Sequence, residues 1–268
     1  MLKEIFYNTF VETERKRDEY AATHKAFDTK AMWVCIATAF SLSMIYYIGR
    51  YSYLKDFLNN SGAGRLIETT DSWVRGGNSS NLGELTYWVT MLVIFYFIVP
   101  VAVIRLVFKE RLDDYGLQWK GAFKDYYLYI IMLMVMVPLV VYFSGTKVFQ
   151  AKYPFLDIRS GQSLFPDFWK WELLYCAQFF ALEFFFRGFV LHGLKSRLGF
   201  YSVFVMTIPY CMIHFGKPLQ ETLAAIIAGI VLGTLSLKSR SIFLGCLIHM
   251  TVGLGMDFAA LWQKGFFD

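Results

Sequence analysis

Residues 126–146, YYLYIIMLMVMVPLVVYFSGT, run without a single Asp, Glu, Lys or Arg. At about 1.5 Å of rise per residue, such a stretch crosses a hydrocarbon layer about 30 Å thick as one helix. Residues 31–49 and 85–104 are equally free of charge. Later windows are interrupted: Glu183 and Arg187 fall within 171–190, and Lys217 separates 198–216 from 222–237 before a last window at 241–256. The expected fold is an all-α polytopic transmembrane helix bundle of about seven spans.

Composition points the same way. The chain is 56% hydrophobic and 19% aromatic with 18% charged residues, against about 25% charged in soluble domains. The first window follows a long segment of mixed charge and precedes no small-residue cleavage site, so it reads as a retained anchor and not a signal peptide. Cys35, Cys176, Cys211 and Cys246 all lie in apolar windows with no paired spacing, which indicates neither a disulfide framework nor a cysteine metal site. The net charge of +5 sits beside the spans. It therefore points to membrane lipids as partners, not to nucleic acid.

Three regions follow. Residues 1–30 form a cytoplasmic or interfacial N-terminal segment, 31–164 hold the first three spans, and 165–262 hold a core of four more. Bases cluster in the loop 105–124, at Lys195 and Arg197, and at Lys238 and Arg240. The positive-inside rule places these loops and the N-terminus in the cytoplasm. Loops 50–84 and 147–167, with turn-rich stretches at 59–64 and 76–81, fall outside, as does the C-terminus. No internal repeat or low-complexity segment appears. Pro100, Pro138 and Pro209 lie within spans, which a bundle tolerates. Gly229 and Gly233, near Ala225 and Ala228, make a small surface for close helix contact.

The informative residues are those costly to place in hydrocarbon, at roughly 2.5–3.5 kcal/mol per charge at a helix centre. Glu183 and Arg187 stand four apart on one helical face and can pair. That pair alone reads as a structural lock. His214 and His249, each in an almost wholly apolar context, turn the lock into a candidate site: a carboxylate and a histidine can activate water, and a second histidine can support an oxyanion. Tyr210, four before His214, packs against it or bonds within the site. Glu172 reads as a membrane boundary, His192 as a solvated residue beside Lys195 and Arg197, and Asp257 as the outer end of the last span. Glu183, His214 and His249 could also supply three zinc ligands with one open position. The HExxH signature is absent, so the expectation is no cofactor, with zinc as the weaker alternative.

The order of these residues resembles the CPBP family of intramembrane proteases, which includes CAAX-processing endopeptidases and bacterial self-immunity proteins. Its EExxxR motif corresponds to LEFFFR at 182–187, FxxxH to YCMIH at 210–214, and HxxxN or HxxxD to HMTVG at 249–253. The resemblance covers roughly residues 165–257. It implies a CPBP-like fold and a glutamate-dependent endopeptidase of the inner bacterial membrane, cutting a membrane-anchored protein or peptide. Carried across, Glu183 and His214 activate water, Arg187 pairs with Glu183, and His249 supports the oxyanion. Two positions depart: Leu182 replaces the first glutamate and Gly253 the Asn or Asp. The rival expectation is a non-catalytic scaffold or immunity protein that keeps the fold. A transporter lacks support, because no two-fold repeat is present. The N-terminal third, outside the resemblance, is the candidate region for a protein partner.

Overall fold

The computed structural model describes residues 2–75, 81–158 and 163–267. Of the turn-rich stretch 76–81, all but Asn81 lie outside the described residues. Every regular element among the described residues is helical: α1 (Leu2–Thr23), α2 (Thr29–Tyr47), α3 (Tyr51–Asn60), α4 (Gly64–Arg75), α5 (Leu82–Val93), α6 (Val99–Ala102), α7 (Tyr126–Ser144), α8 (Lys147–Lys152), α9 (Asp167–Glu183), α10 (Leu191–Leu198), α11 (Tyr201–Met212), α12 (Leu219–Ser239) and α13 (Phe243–Gln263). Three π-helical turns, Ile94–Ile98, Val103–Phe108 and Phe184–Val190, extend α5, α6 and α9.

Among the described residues six helical runs are long and apolar enough to cross a membrane: Thr29–Tyr47, Leu82–Phe108, Tyr126–Ser144, Asp167–Leu198, Leu219–Ser239 and Phe243–Gln263. The chain is an integral membrane protein on that evidence. The fifth expected window, 198–216, becomes α11, apolar but only 12 residues long. At about 1.5 Å per residue it reaches about 18 Å, well short of a full crossing. Asp167–Leu198 is buried over 72% of its most apolar window and α7 over 17%. Protein therefore shields the run carrying Glu183 and Arg187, whereas α7 turns Ile130, Met134, Val137 and Val141 outward, as a lipid-facing helix does.

Two compact units emerge, each discontinuous in sequence. The first comprises Met1–Ala39, Val99–Met132 and Leu182–Ile248; the second comprises Phe40–Ile98, Leu133–Ala181 and His249–Asp268.

In the first unit, α11 and α12 pack tightly because glycine leaves room. A Cβ on Gly229 would stand 2.8 Å from the Thr207 side chain, and one on Gly233 3.0 Å from Met206. The small-residue surface read from sequence is thus the α12 contact face. Lys30 Nζ reaches both Glu110 oxygens at 2.9 and 2.6 Å, and Tyr115 donates to the same carboxylate at 2.5 Å. Helix α1 docks on the α10–α11 turn, where Glu14 Oε1 accepts the Phe200 amide at 2.7 Å. The turn residue Gly199 has φ +60°, and a Cβ there would meet Glu14 Oε1. Gly199→Ala is expected to displace Glu14 and release α1, since the substituent combines a positive φ with a clash. Limited proteolysis within residues 2–23 should speed up in this variant, and an unchanged digestion rate would count against the clasp.

The second unit is built on aromatic side chains. Phe168, Trp171, Tyr175 and Phe179 recur at helical spacing along one face of α9 and are joined by Leu82, Leu85, Val89, Leu156 and Leu261. Ring centroids lie 4.8 Å apart for Trp171 and Tyr175 and 4.4 Å for Tyr175 and Phe179. The loop expected outside, 50–84, is mostly helical: α3 and α4 are tied by Tyr51 and Lys55, which bond Asp71 at 2.8 and 2.5 Å.

Candidate functional site

Glu183 ends α9 and Arg187 lies in the π-helical turn that follows. Both are fully buried, at 0% exposure. Arg187 Nη1 donates to Glu183 Oε1 at 2.9 Å, so the pair expected from the spacing of four forms. The guanidinium carbon lies 3.8 Å from the centre of the Tyr210 ring. That places a desolvated cation on an aromatic face, an arrangement worth about 2 kcal/mol. The π-helical insertion is of a kind often found at functional sites.

Tyr210 joins the ion pair to His214. Its ring centroid lies 4.9 Å from the imidazole's, and its carbonyl oxygen is 2.8 Å from His214 Nδ1. A carbonyl only accepts, so Nδ1 carries the hydrogen and Nε2 is the basic nitrogen of the neutral ring. Glu183, Arg187, Tyr210 and His214 thus form one connected polar chain in the first unit, combining the first two motif segments. A Cβ on Gly245 would stand 2.8 Å from Glu183 Oε2. Gly245 therefore lets the carboxylate reach against α13. Sequence reasoning passed over it, although it stands one helical turn before His249.

His249 belongs to the second unit. Its ring stacks on Phe179, with centroids 5.2 Å apart and planes 14° from parallel. The departure at Gly253 has a physical counterpart here. A Cβ at that position would stand 2.3 Å from Phe179 Cε2 and 3.3 Å from Tyr175 Cε1. The volume an Asn or Asp would need is occupied by the aromatic row of α9. Leu182, which takes the place of the motif's first glutamate, is buried at 5% exposure.

Three expectations need correction. His192 is 2% exposed because α10 turns it onto Ser236 of α12; its Nε2 is 3.2 Å from Ser236 Oγ. Glu172, expected to stand exposed at a boundary, is instead enclosed by protein: it is 3% exposed on α9, and its carboxylate oxygens have no hydrogen-bond partner among the described residues. Asp257 is likewise buried, accepting the Trp171 indole N–H at 2.7 Å. Among the described residues no group of three or more His, Cys, Asp or Glu side chains is arranged to hold a metal ion.

A helical membrane protein with an ionised pair enclosed in its core is the class these features define. Residues 164–254 match the family model described as Type II CAAX prenyl endopeptidase Rce1-like. That span is about a third of the chain and contains Glu183, Arg187, Tyr210, His214 and His249. It agrees with the CPBP resemblance and supports an intramembrane protease at the level of the family. No curated protein and no solved structure matches the chain.

Proposed function

We propose that this protein is a glutamate-dependent intramembrane endopeptidase that hydrolyses a peptide bond of a membrane-anchored protein, with its N-terminus in the cytoplasm. The observation that carries the reading is the continuous chain from Glu183 through Arg187 and Tyr210 to His214, inside a segment that matches a peptidase family. A purely structural ion pair has no need of a histidine whose basic nitrogen is set by a hydrogen bond on the other side of the ring. In this mechanism Glu183 and the Nε2 of His214 share the proton of an attacking water, and Arg187 holds the carboxylate in place. His249 takes the oxyanion-supporting role from its position in the third motif. No cofactor enters the scheme. Membrane lipids surround the protein, and residues 1–30 and the helical loop after α2 are the surfaces offered to a protein partner.

The test replaces Glu183 by Gln, His214 by Ala and His249 by Ala in separate strains and compares membrane proteins by mass spectrometry. Each variant is expected to slow at least one cleavage by about a hundredfold or more, the scale of losing general acid–base assistance. If all three leave every processing event intact, the peptidase reading is wrong. The packing of Phe179 against Gly253 favours a second reading, a non-catalytic protein of the same fold, because it takes the place of a polar motif residue. In that case Glu183→Asp would lower abundance without altering any cleavage.

A further inference from the structure

His192 and Ser236 are buried at 2% exposure each, and the water-activating scheme uses neither. Lys195 Nζ stands 2.8 Å from His192 Nδ1, His192 Nε2 stands 3.2 Å from Ser236 Oγ, and Ser236 Oγ reaches the Arg187 carbonyl at 3.5 Å. All belong to the first unit.

The direction of the bonds follows from which groups can donate. An ammonium only donates, so His192 Nδ1 accepts and Nε2 carries the hydrogen. Nε2–H then donates to the Ser236 hydroxyl, which sends its own proton to the Arg187 carbonyl. This polarity rules Ser236 out as a nucleophile, since an imidazole nitrogen that already bears hydrogen cannot take the serine proton. The chain instead ends on the backbone of the π-helical turn Phe184–Val190, where the usual α-helical ladder is broken. Gly188 allows the turn to sit close against the short 3-10 helix Leu112–Tyr115: a Cβ there would meet the Tyr115 carbonyl at 2.8 Å.

We propose that His192 and Ser236 are positioning residues that hold the Arg187 backbone, and through it the Glu183–Arg187 pair, in the geometry the reaction needs. The proposal rests on the peptidase reading for its functional half. Lys195 orients the imidazole, the imidazole orients the hydroxyl, and the hydroxyl fixes the carbonyl whose residue carries the guanidinium.

Three substitutions separate this role from packing. His192→Gln keeps an acceptor for Lys195 and a donor for Ser236, but loses the ring. His192→Phe keeps the ring and loses both bonds. Ser236→Ala removes a single oxygen with little change of shape. In the purified full chain, hydrogen exchange of the amides at 184–190 is expected to rise about tenfold in His192→Phe and Ser236→Ala, and to stay within about threefold of the parent in His192→Gln. The cleavage that Glu183→Gln abolishes should follow the same split. If His192→Phe behaves as the parent while His192→Gln loses both readouts, the residue is there for its volume and the proposal fails. A Glu183-dependent cleavage untouched by His192→Phe and Ser236→Ala also overturns it. Should Glu183→Gln abolish no cleavage at all, the peptidase reading falls, and with it the proposal's functional half. The exchange split then decides only whether the two residues anchor the turn.

Discussion

Arg187→Met is expected to destabilise the protein by about 3–5 kcal/mol, the cost of removing one partner of a buried ion pair. The size follows from the surroundings of Glu183. The carboxylate has 0% exposure, bonds the guanidinium at 2.9 Å, and stands next to Gly245 where no side chain intervenes. Insertion penalties of roughly 2.5–3.5 kcal/mol for a lone charge at a helix centre are of the same order. Methionine fills much of the arginine volume, so the loss is electrostatic more than steric. It also removes the cation from the Tyr210 face. The double substitution Glu183→Leu with Arg187→Met takes out both charges together and should recover most of the loss, since apolar replacements of buried pairs are often neutral or stabilising. The parent, Arg187→Met and the double variant can be compared by thermal melting in mild detergent and by abundance in the membrane. A double variant no more stable than Arg187→Met would show that the pair is not the source of the effect. On the proposed peptidase reading the double variant also separates stability from chemistry: it should be abundant and unable to cleave, because the carboxylate assigned to water is gone.

The features legible in the sequence were those set by residues close together in the chain. The charge-free windows 31–49, 85–104 and 126–146 mark their helices because a membrane span needs little more than length and apolarity, whereas the equally charge-free 198–216 holds only the short α11. The Glu183–Arg187 pair is legible because residues four apart share a helical face. Tyr210 and His214 share that spacing, and their contact was expected for the same reason. The features that escaped depend on what another helix brings. His192 has Lys195 and Arg197 as sequence neighbours and reads as solvated, yet its environment is decided by Ser236 on α12, distant in the chain. Glu172 and Asp257 look like boundary residues because charges usually are, whereas the row Phe168, Trp171, Tyr175 and Phe179 encloses that region. The π-helical turn has no local signal strong enough to read. Its one hint is Gly188, whose missing side chain matters only because the Tyr115 carbonyl lies above it.

The second large effect concerns Gly253, where the aromatic core and the third motif compete for the same volume. Gly253→Asn, which would restore the motif, is expected to cost about 1–3 kcal/mol as an overpacking substitution. The first atom of any side chain would stand 2.3 Å from the Phe179 ring. That ring cannot swing aside easily, with Tyr175 at 4.4 Å on one side and the His249 imidazole at 5.2 Å on the other. Phe179→Ala alone should cost about 3–5 kcal/mol, since it empties a buried aromatic site. Combined, the two should cost less than their sum by about 1 kcal/mol or more, because each relieves the defect the other creates. On the proposed peptidase reading the catalytic consequence has a definite sign. Phe179→Ala frees the His249 ring from its stacking partner and should lower cleavage; adding Gly253→Asn offers that ring a polar neighbour one helical turn away and should raise cleavage above the single variant. Melting of the four proteins gives the coupling, and the Glu183-dependent cleavage gives the chemistry. Strict additivity in melting would mean that Phe179 and position 253 do not contend for one space. Coupling without recovery of cleavage would mean that a polar group at position 253 does not orient His249, so that aromatic stacking on Phe179 has replaced the motif's polar residue in holding the imidazole.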